Sequence, residues 1–152
     1  MCLRQERLGR ACSFEHHRNS GDLDNTLYAH QFGPMTDFPV TLFHNPRCSK
    51  SRAALALIRE RGIEPDIVLY LQTGWTKAGL HGLLTRMDAA ARDVLRTGEP
   101  EAATLGAEAS DAVIIAAMVA HPILVERPIV QTRLGVVIAR PPERVFEVLP
   151  AL

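Results

Sequence analysis

Arg47-Cys48-Ser49-Lys50-Ser51-Arg52 places one thiol, two hydroxyls and three basic side chains in six consecutive residues, with His44 just upstream. A thiolate, not a thiol, is the nucleophile, and nearby cations or a helix N-terminus lower a cysteine pKa from about 8.5 to about 3.5–7.5. Free cysteines are often inert core residues. This one has neighbours too polar and too basic for a core. Cys48 is therefore the candidate nucleophile, and His44, Ser51 and Arg52 are candidates to assist it.

Three kinds of cysteine chemistry compete. A thioredoxin-like redox pair needs Cys-x-x-Cys, and Ser51 stands where the second cysteine would be. A phosphatase-type loop needs a longer gap than the three residues that separate Cys48 from Arg52. A Cys-His hydrolase needs an oriented base and an acyl pocket; His44 supplies at most the base. What remains is a single thiolate that attacks an oxyanion or a disulfide, and that needs an external thiol to finish.

Position matters as much as composition. Val40-Thr41-Leu42-Phe43-His44 reads as a strand, broken by Asn45-Pro46. The run from Ser49 to Arg61 has apolar residues at mostly helical spacing and stops at Gly62. Cys48 thus falls at a strand-to-helix turn, where free backbone N–H groups and the positive end of the helix dipole favour an anion. Ile67-Val68-Leu69-Tyr70-Leu71 is a continuous apolar run, expected to be a strand buried on both faces. Strand, helix, strand in this order predicts a parallel βαβ unit.

A helical block follows: a helix from Thr76 to Met87, another from Ala89 to Leu95 with Asp88 as its N-cap, a looser stretch from Thr97 to Ala109, and an apolar helix from Asp111 to Ala120 capped by Ser110. Pro128–Gln131 and Val136–Ile138 read as short strands, and Pro141-Pro142 opens a last helix from Glu143 to Leu149. The order is βαβ, a helical block, then ββα. Trp75 is expected to anchor a loop, His81 to lie on the surface and His121 at a helix end.

The chain has 152 residues, room for one domain and a tail. Residues 1–34 carry scattered charge and no sustained period, and are expected to be a poorly ordered extension ahead of a domain at 35–152. Met35 is the expected natural start; an intact mass that includes residue 1 would refute this. Apolar residues are 47% of the chain, enough for a core, and 17 basic residues balance 17 acidic ones. That balance gives no general reason to expect nucleic acid or a membrane surface as partner. No apolar run approaches the roughly 20 residues of a membrane span, and the first residues lack a secretory apolar block. A cytoplasmic location is expected, where thiols stay reduced. Cys12, His16 and His17 lack a fourth ligand at zinc spacing, and no metal, nucleotide or flavin site is visible.

His44-Asn45-Pro46-Arg47-Cys48-Ser49-Lys50-Ser51-Arg52 resembles the signature of glutaredoxin-coupled arsenate reductases. His121-Pro122-Ile123-Leu124-Val125-Glu126-Arg127-Pro128-Ile129-Val130 and Ile138-Ala139-Arg140-Pro141-Pro142-Glu143 resemble the second and third signatures, in the same order. The resemblance covers about residues 37–151. It implies a thioredoxin-like fold with helices inserted between its βαβ and ββα halves, and a cis bond at Arg127–Pro128. It further implies that Cys48 attacks arsenate, that Arg96, Arg127 and Arg140 bind the oxyanion, and that His44 and Ser51 depress the cysteine pKa. Arginine suits that task because its planar fork pairs two oxygens and stays charged. Glutathione, a co-substrate and not a bound cofactor, then attacks the adduct, and glutaredoxin completes reduction to arsenite. Residues 35–152 hold no second cysteine, which agrees with an external thiol.

Arg47 and Lys50 are additions to the signature that would also suit another anion or the carboxylates of glutathione. Two other functions therefore stand beside arsenate reduction: a glutathione-dependent thiol/disulfide reductase, and a thioredoxin-fold regulator that binds RNA polymerase. Regulators of that type that sense redox usually carry Cys-x-x-Cys, which Ser51 removes.

Overall fold

The computed structural model describes residues 39–150. The expected extension at 1–34 and the start at Met35 lie outside them. Four short strands form one sheet in the order β2-β1-β3-β4: β1 is Thr41–Phe43, β2 Asp66–Val68, β3 Ile129–Gln131 and β4 Val136–Ile138. β1 and β2 are parallel; β1–β3 and β3–β4 are antiparallel. The helices are α1 (Ser49–Glu60), the single turn α2 (Tyr70–Thr73), α3 (Lys77–Met87) and α4 (Asp111–Ala120). Tight 3-10 segments occupy Ala91–Val94, Pro100–Thr104, Pro122–Leu124 and Pro142–Glu147. This is the thioredoxin-like arrangement, with a helical insertion between its βαβ and ββα halves.

Alternation along β1 divides the core in two, since successive strand residues face opposite sides. Leu42 joins Ala54 and Ile58 of α1, Val130, Val137 and the C-terminal Val145 and Leu149. Phe43 faces Tyr70, Trp75 and the apolar sides of α3 and α4. α1 is held by Ser51, Ala54 and Ile58, which recur on its buried side. Burying Ile58 completely contributes about 1.5–3 kcal/mol. The helix ends in a Schellman motif: Ile63 N–H bonds Ile58 O at 3.4 Å and Gly62 N–H bonds Arg59 O at 2.8 Å, with Gly62 at φ 71°.

Four expectations change. The run Ile67–Leu71 is not a doubly buried strand: β2 stops at Val68, lies at the sheet edge, and leaves Ile67 41% exposed. Tyr70 and Leu71 turn into α2, which carries the Tyr70 ring into the core. Asp88 does not open the next helix. It closes α3 in the left-handed region at φ 51°, while Ala89 N–H bonds Leu84 O at 3.1 Å. The Ala89–Leu95 helix shrinks to a 3-10 turn whose start is tied by Ala90 N–H to Asp93 Oδ2 at 2.9 Å. The last helix is the 3-10 segment Pro142–Glu147. Ser110 does precede α4, but its side chain makes no capping hydrogen bond.

Candidate active site

Strand register brings distant residues to one end of the sheet. Val68, Phe43, Ile129 and Ile138 form a row across all four strands. Just beyond that row lie the His44–Cys48 turn, Tyr70, Arg127 and Arg140. The bond before Pro128 is cis, as expected; the bond before Pro141 is cis as well. Arg96 reaches the same end because Leu95 pairs with Val125 and Arg96 N–H bonds Leu124 O at 2.8 Å.

Cys48 is a free, partly exposed thiol in the N-cap position of α1. Its backbone N–H bonds Asn45 O at 3.0 Å, and its own carbonyl accepts from Arg52 N–H at 3.1 Å. Partial burial pushes the thiol pKa up. The backbone N–H of Ser51, the Arg127 side chain and the backbone N–H of Lys50 more than offset this, so the pKa falls below its ordinary 9.0. An oxygen cap is absent; the helix N-terminus serves the sulfur instead.

The turn beneath the thiol is tied by side-chain hydrogen bonds. Ser51 Oγ lies 2.7 Å from His44 Nδ1 and accepts from Asn45 N–H at 3.1 Å, while Asn45 Oδ1 accepts from Arg47 N–H at 2.9 Å. Ser51, His44 and Asn45 are buried. Burial, then the charges of Arg52 and Arg59, lower the His44 pKa from 6.5, so the imidazole is neutral near pH 7. The Ser51 hydroxyl is therefore a support for the turn. It is the Ser51 backbone that acts on sulfur. Arg52 is exposed, and its Nη1 donates to Pro46 O at 2.8 Å. The Arg47 side chain is exposed and makes no hydrogen bond or ion pair within the described residues. Neither is among the groups that shift Cys48.

The arginines divide into two classes. Arg127 is directed at Cys48 and Tyr70 and favours the anion of each. Its Nε and Nη1 are buried without a hydrogen-bond partner of good geometry among the described residues. Arg96 and Arg140 instead meet carboxylates: Arg96 pairs with Glu99 through Nη1, Arg96 Nε lies 3.9 Å from Glu126 Oε1, and Arg140 Nη1 lies 3.2 Å from Glu126 Oε2. Arg140 Nε also donates to Arg127 O at 2.8 Å, which fixes the backbone that carries Arg127.

Tyr70 and Glu126 are the residues that sequence reasoning missed. Tyr70 is 1% exposed, and its hydroxyl makes no hydrogen bond of good geometry among the described residues, although the Arg127 side chain lies within reach of it. Desolvation raises its pKa, with Arg127 and Arg96 opposing that rise and Cys48 adding to it. Its ring stacks on Trp75 at 5.2 Å, and Trp75 meets Phe43 at 4.9 Å, so Trp75 anchors this wall. Buried donors left unpaired cost about 1–3 kcal/mol each. Tyr70 and Arg127 thus form a donor cradle beside a nucleophile, suited to an acceptor-rich anion. No cluster of three metal-ligating side chains occurs among the described residues.

The ArsC family model matches residues 43–148. Arsenate reductase ArsI1 of Synechocystis is 43% identical over 118 residues, covering 76% of this chain and 82% of that protein. The Escherichia coli K12 protein YfgD is 43% identical, covering 72% of this chain and 96% of its own length. The structure of an arsenate reductase from Vibrio cholerae superposes with a TM-score of 0.70 at 38% identity, over 74% of this chain and 98% of that one.

Proposed function

The chain belongs to the ArsC family, and from that premise we propose that it reduces arsenate to arsenite through a covalent cysteine–arsenic intermediate, with glutathione and glutaredoxin as reductants. The observation that carries the reading is the Cys48 thiol, lowered in pKa and facing the unpaired donors of Arg127. The Cys48 thiolate attacks arsenic(V), forms an S–As bond and expels one arsenate oxygen as water after proton uptake. Arg127 and Tyr70 hold the remaining oxygens, and their hydrogen bonds strengthen as charge builds there. Glutathione thiolate displaces a second oxygen as water. A glutaredoxin thiolate then attacks the glutathione sulfur. The S–S bond of a glutaredoxin–glutathione mixed disulfide forms as the arsenic–glutathione S–As bond breaks; the electron pair of that broken bond stays on arsenic, leaving arsenic(III) on Cys48. Water hydrolyses that S–As bond, releasing arsenite and the thiol.

Residues 35–152 hold no resolving cysteine, which supports an external thiol. No helix among the described residues is long and apolar enough to cross a membrane, and the cytoplasm, with its reduced glutathione, is the proposed location. NADPH oxidation coupled through glutathione reductase, with arsenate, glutathione and glutaredoxin, tests this reading against Cys48→Ser.

A second reading has its own support. Arg96 and Arg140 already face carboxylates, which leaves a weaker oxyanion site beside an accessible thiol, as a glutathione-dependent thiol/disulfide reductase requires. A glutathionylated peptide in the same coupled assay separates the two.

A further inference from the structure

Glu126 stands next to Arg127: its Oε2 accepts from the Arg127 backbone N–H at 3.4 Å, and the same carboxylate meets the side chains of the other two arginines. Oε2 lies 3.2 Å from Arg140 Nη1, and Oε1 lies 3.9 Å from Arg96 Nε. Glu99 takes Arg96 Nη1. A carboxylate and a tetrahedral oxyanion offer a guanidinium the same kind of paired acceptor oxygens. Both cannot fill the space between Arg96 and Arg140. These side chains are only partly open to water: 21% exposed for Arg96, 23% for Glu126 and 40% for Arg140. Their charges are therefore less screened than those of a free surface pair.

The charge count matters. Three guanidiniums against the two carboxylates of Glu99 and Glu126 leave one net positive charge, which the Cys48 thiolate cancels. A dianion entering that cluster adds two charges to a neutral site; a monoanion adds one. Without Glu126 the cluster would carry one further positive charge.

We propose that Glu126 is a resident competitor in the oxyanion site: it must leave Arg96 and Arg140 before an oxyanion spans them, and it biases the site toward singly charged oxyanions. This inference rests on the reading of the arginine cluster as an oxyanion site. Arsenate near neutral pH exists in singly and doubly charged forms, so Glu126 selects the former. It is a specificity-determining residue, not a catalytic one.

The test is isothermal titration calorimetry on the full reduced chain with sulfate, a dianion, and nitrate, a monoanion, comparing the unaltered protein with Glu126→Gln. Removing a charge about 4 Å from two partly exposed arginines is expected to tighten sulfate about tenfold and nitrate only about threefold. Unchanged or weaker sulfate binding overturns the competitor role. Equal tightening of both anions overturns the charge selection. If Glu126→Gln fails to fold, Glu126→Asp keeps the charge but shortens its reach, and sulfate binding no tighter than in the unaltered chain overturns the proposal. Arsenate turnover run in parallel separates the two readings. Tighter sulfate in the variant without arsenate turnover in either protein sustains the competitor and removes the arsenate reductase. Absence of anion binding in both proteins removes both.

Discussion

The Ser51 hydroxyl lies 2.7 Å from His44 Nδ1, while the Ser51 backbone N–H helps to stabilise the Cys48 sulfur. One residue thus does two jobs with two different groups. Ser51→Ala removes the buried hydroxyl and leaves His44 Nδ1 and Asn45 N–H unpaired. A loss of about 1–3 kcal/mol in stability is expected from denaturant melts. The thiolate midpoint, read by ultraviolet absorbance against pH, should stay below the free-thiol range. A midpoint that returns to the free-cysteine value would instead give the hydroxyl the direct role.

Thiolate formation also links to stability. The folded Cys48 pKa lies below its ordinary 9.0. Between the lowered folded value and 9.0 the unfolded chain binds more protons, so stability rises with pH there. This contribution is fully present above the unfolded value and is lost as pH falls through the folded one. Chemical denaturation of the unaltered chain against Cys48→Ser, repeated across that window, should show the difference growing with pH. A difference that is flat would mean that no activation exists.

His44 acts at lower pH and in the same sense. Its pKa is lowered from 6.5, so below 6.5 the unfolded chain takes up a proton that the folded one resists. Acidification from pH 7 should therefore cost stability, and His44→Asn should flatten that part of the melting profile. A variant with the same slope as the unaltered chain would place the sensitivity elsewhere.

Arg127→Lys keeps a charge and discards the fork. Charge-assisted hydrogen bonds contribute about 1.5–3 kcal/mol, so anion affinity should fall roughly tenfold to a hundredfold, at 1.4 kcal/mol per decade. Iodoacetamide alkylation against pH should show the Cys48 midpoint moving up. Unchanged anion affinity together with an unmoved midpoint would remove Arg127 from the site.

Tyr70→Phe distinguishes a donor from a structural ring. The ring stack on Trp75 survives, and an unpaired buried hydroxyl is removed. Stability should hold or rise slightly, while kcat/KM for arsenate falls about a hundredfold to a thousandfold, the scale of one lost hydrogen bond to a developing charge. Lost stability with intact turnover would make Tyr70 structural.

Cys48 and α1 were legible because a basic, hydroxyl-rich stretch between a strand and an amphipathic run fits few structures. β4 was legible from its apolar run beyond Gly135, which ends at Ile138. β2 was misread because a continuous apolar run looks the same at an edge as in the middle; only its single neighbour, β1, decides. Tyr70 was swallowed by that run, although its ring is drawn inward by Trp75 across a loop. Asp88 was misread because Asp suits both an N-cap and a left-handed helix end. Glu126 was invisible because its meaning lies in Arg96 and Arg140, which only β3–β4 pairing and the Leu95–Val125 bridge bring together.

The most direct test of the central claim is arsenate-dependent NADPH oxidation by the full chain, with glutathione, glutaredoxin and glutathione reductase, beside Cys48→Ser. Turnover that requires arsenate and disappears in Cys48→Ser is the predicted result. No arsenate-dependent turnover, in a protein whose Cys48 still alkylates rapidly at neutral pH, would contradict it.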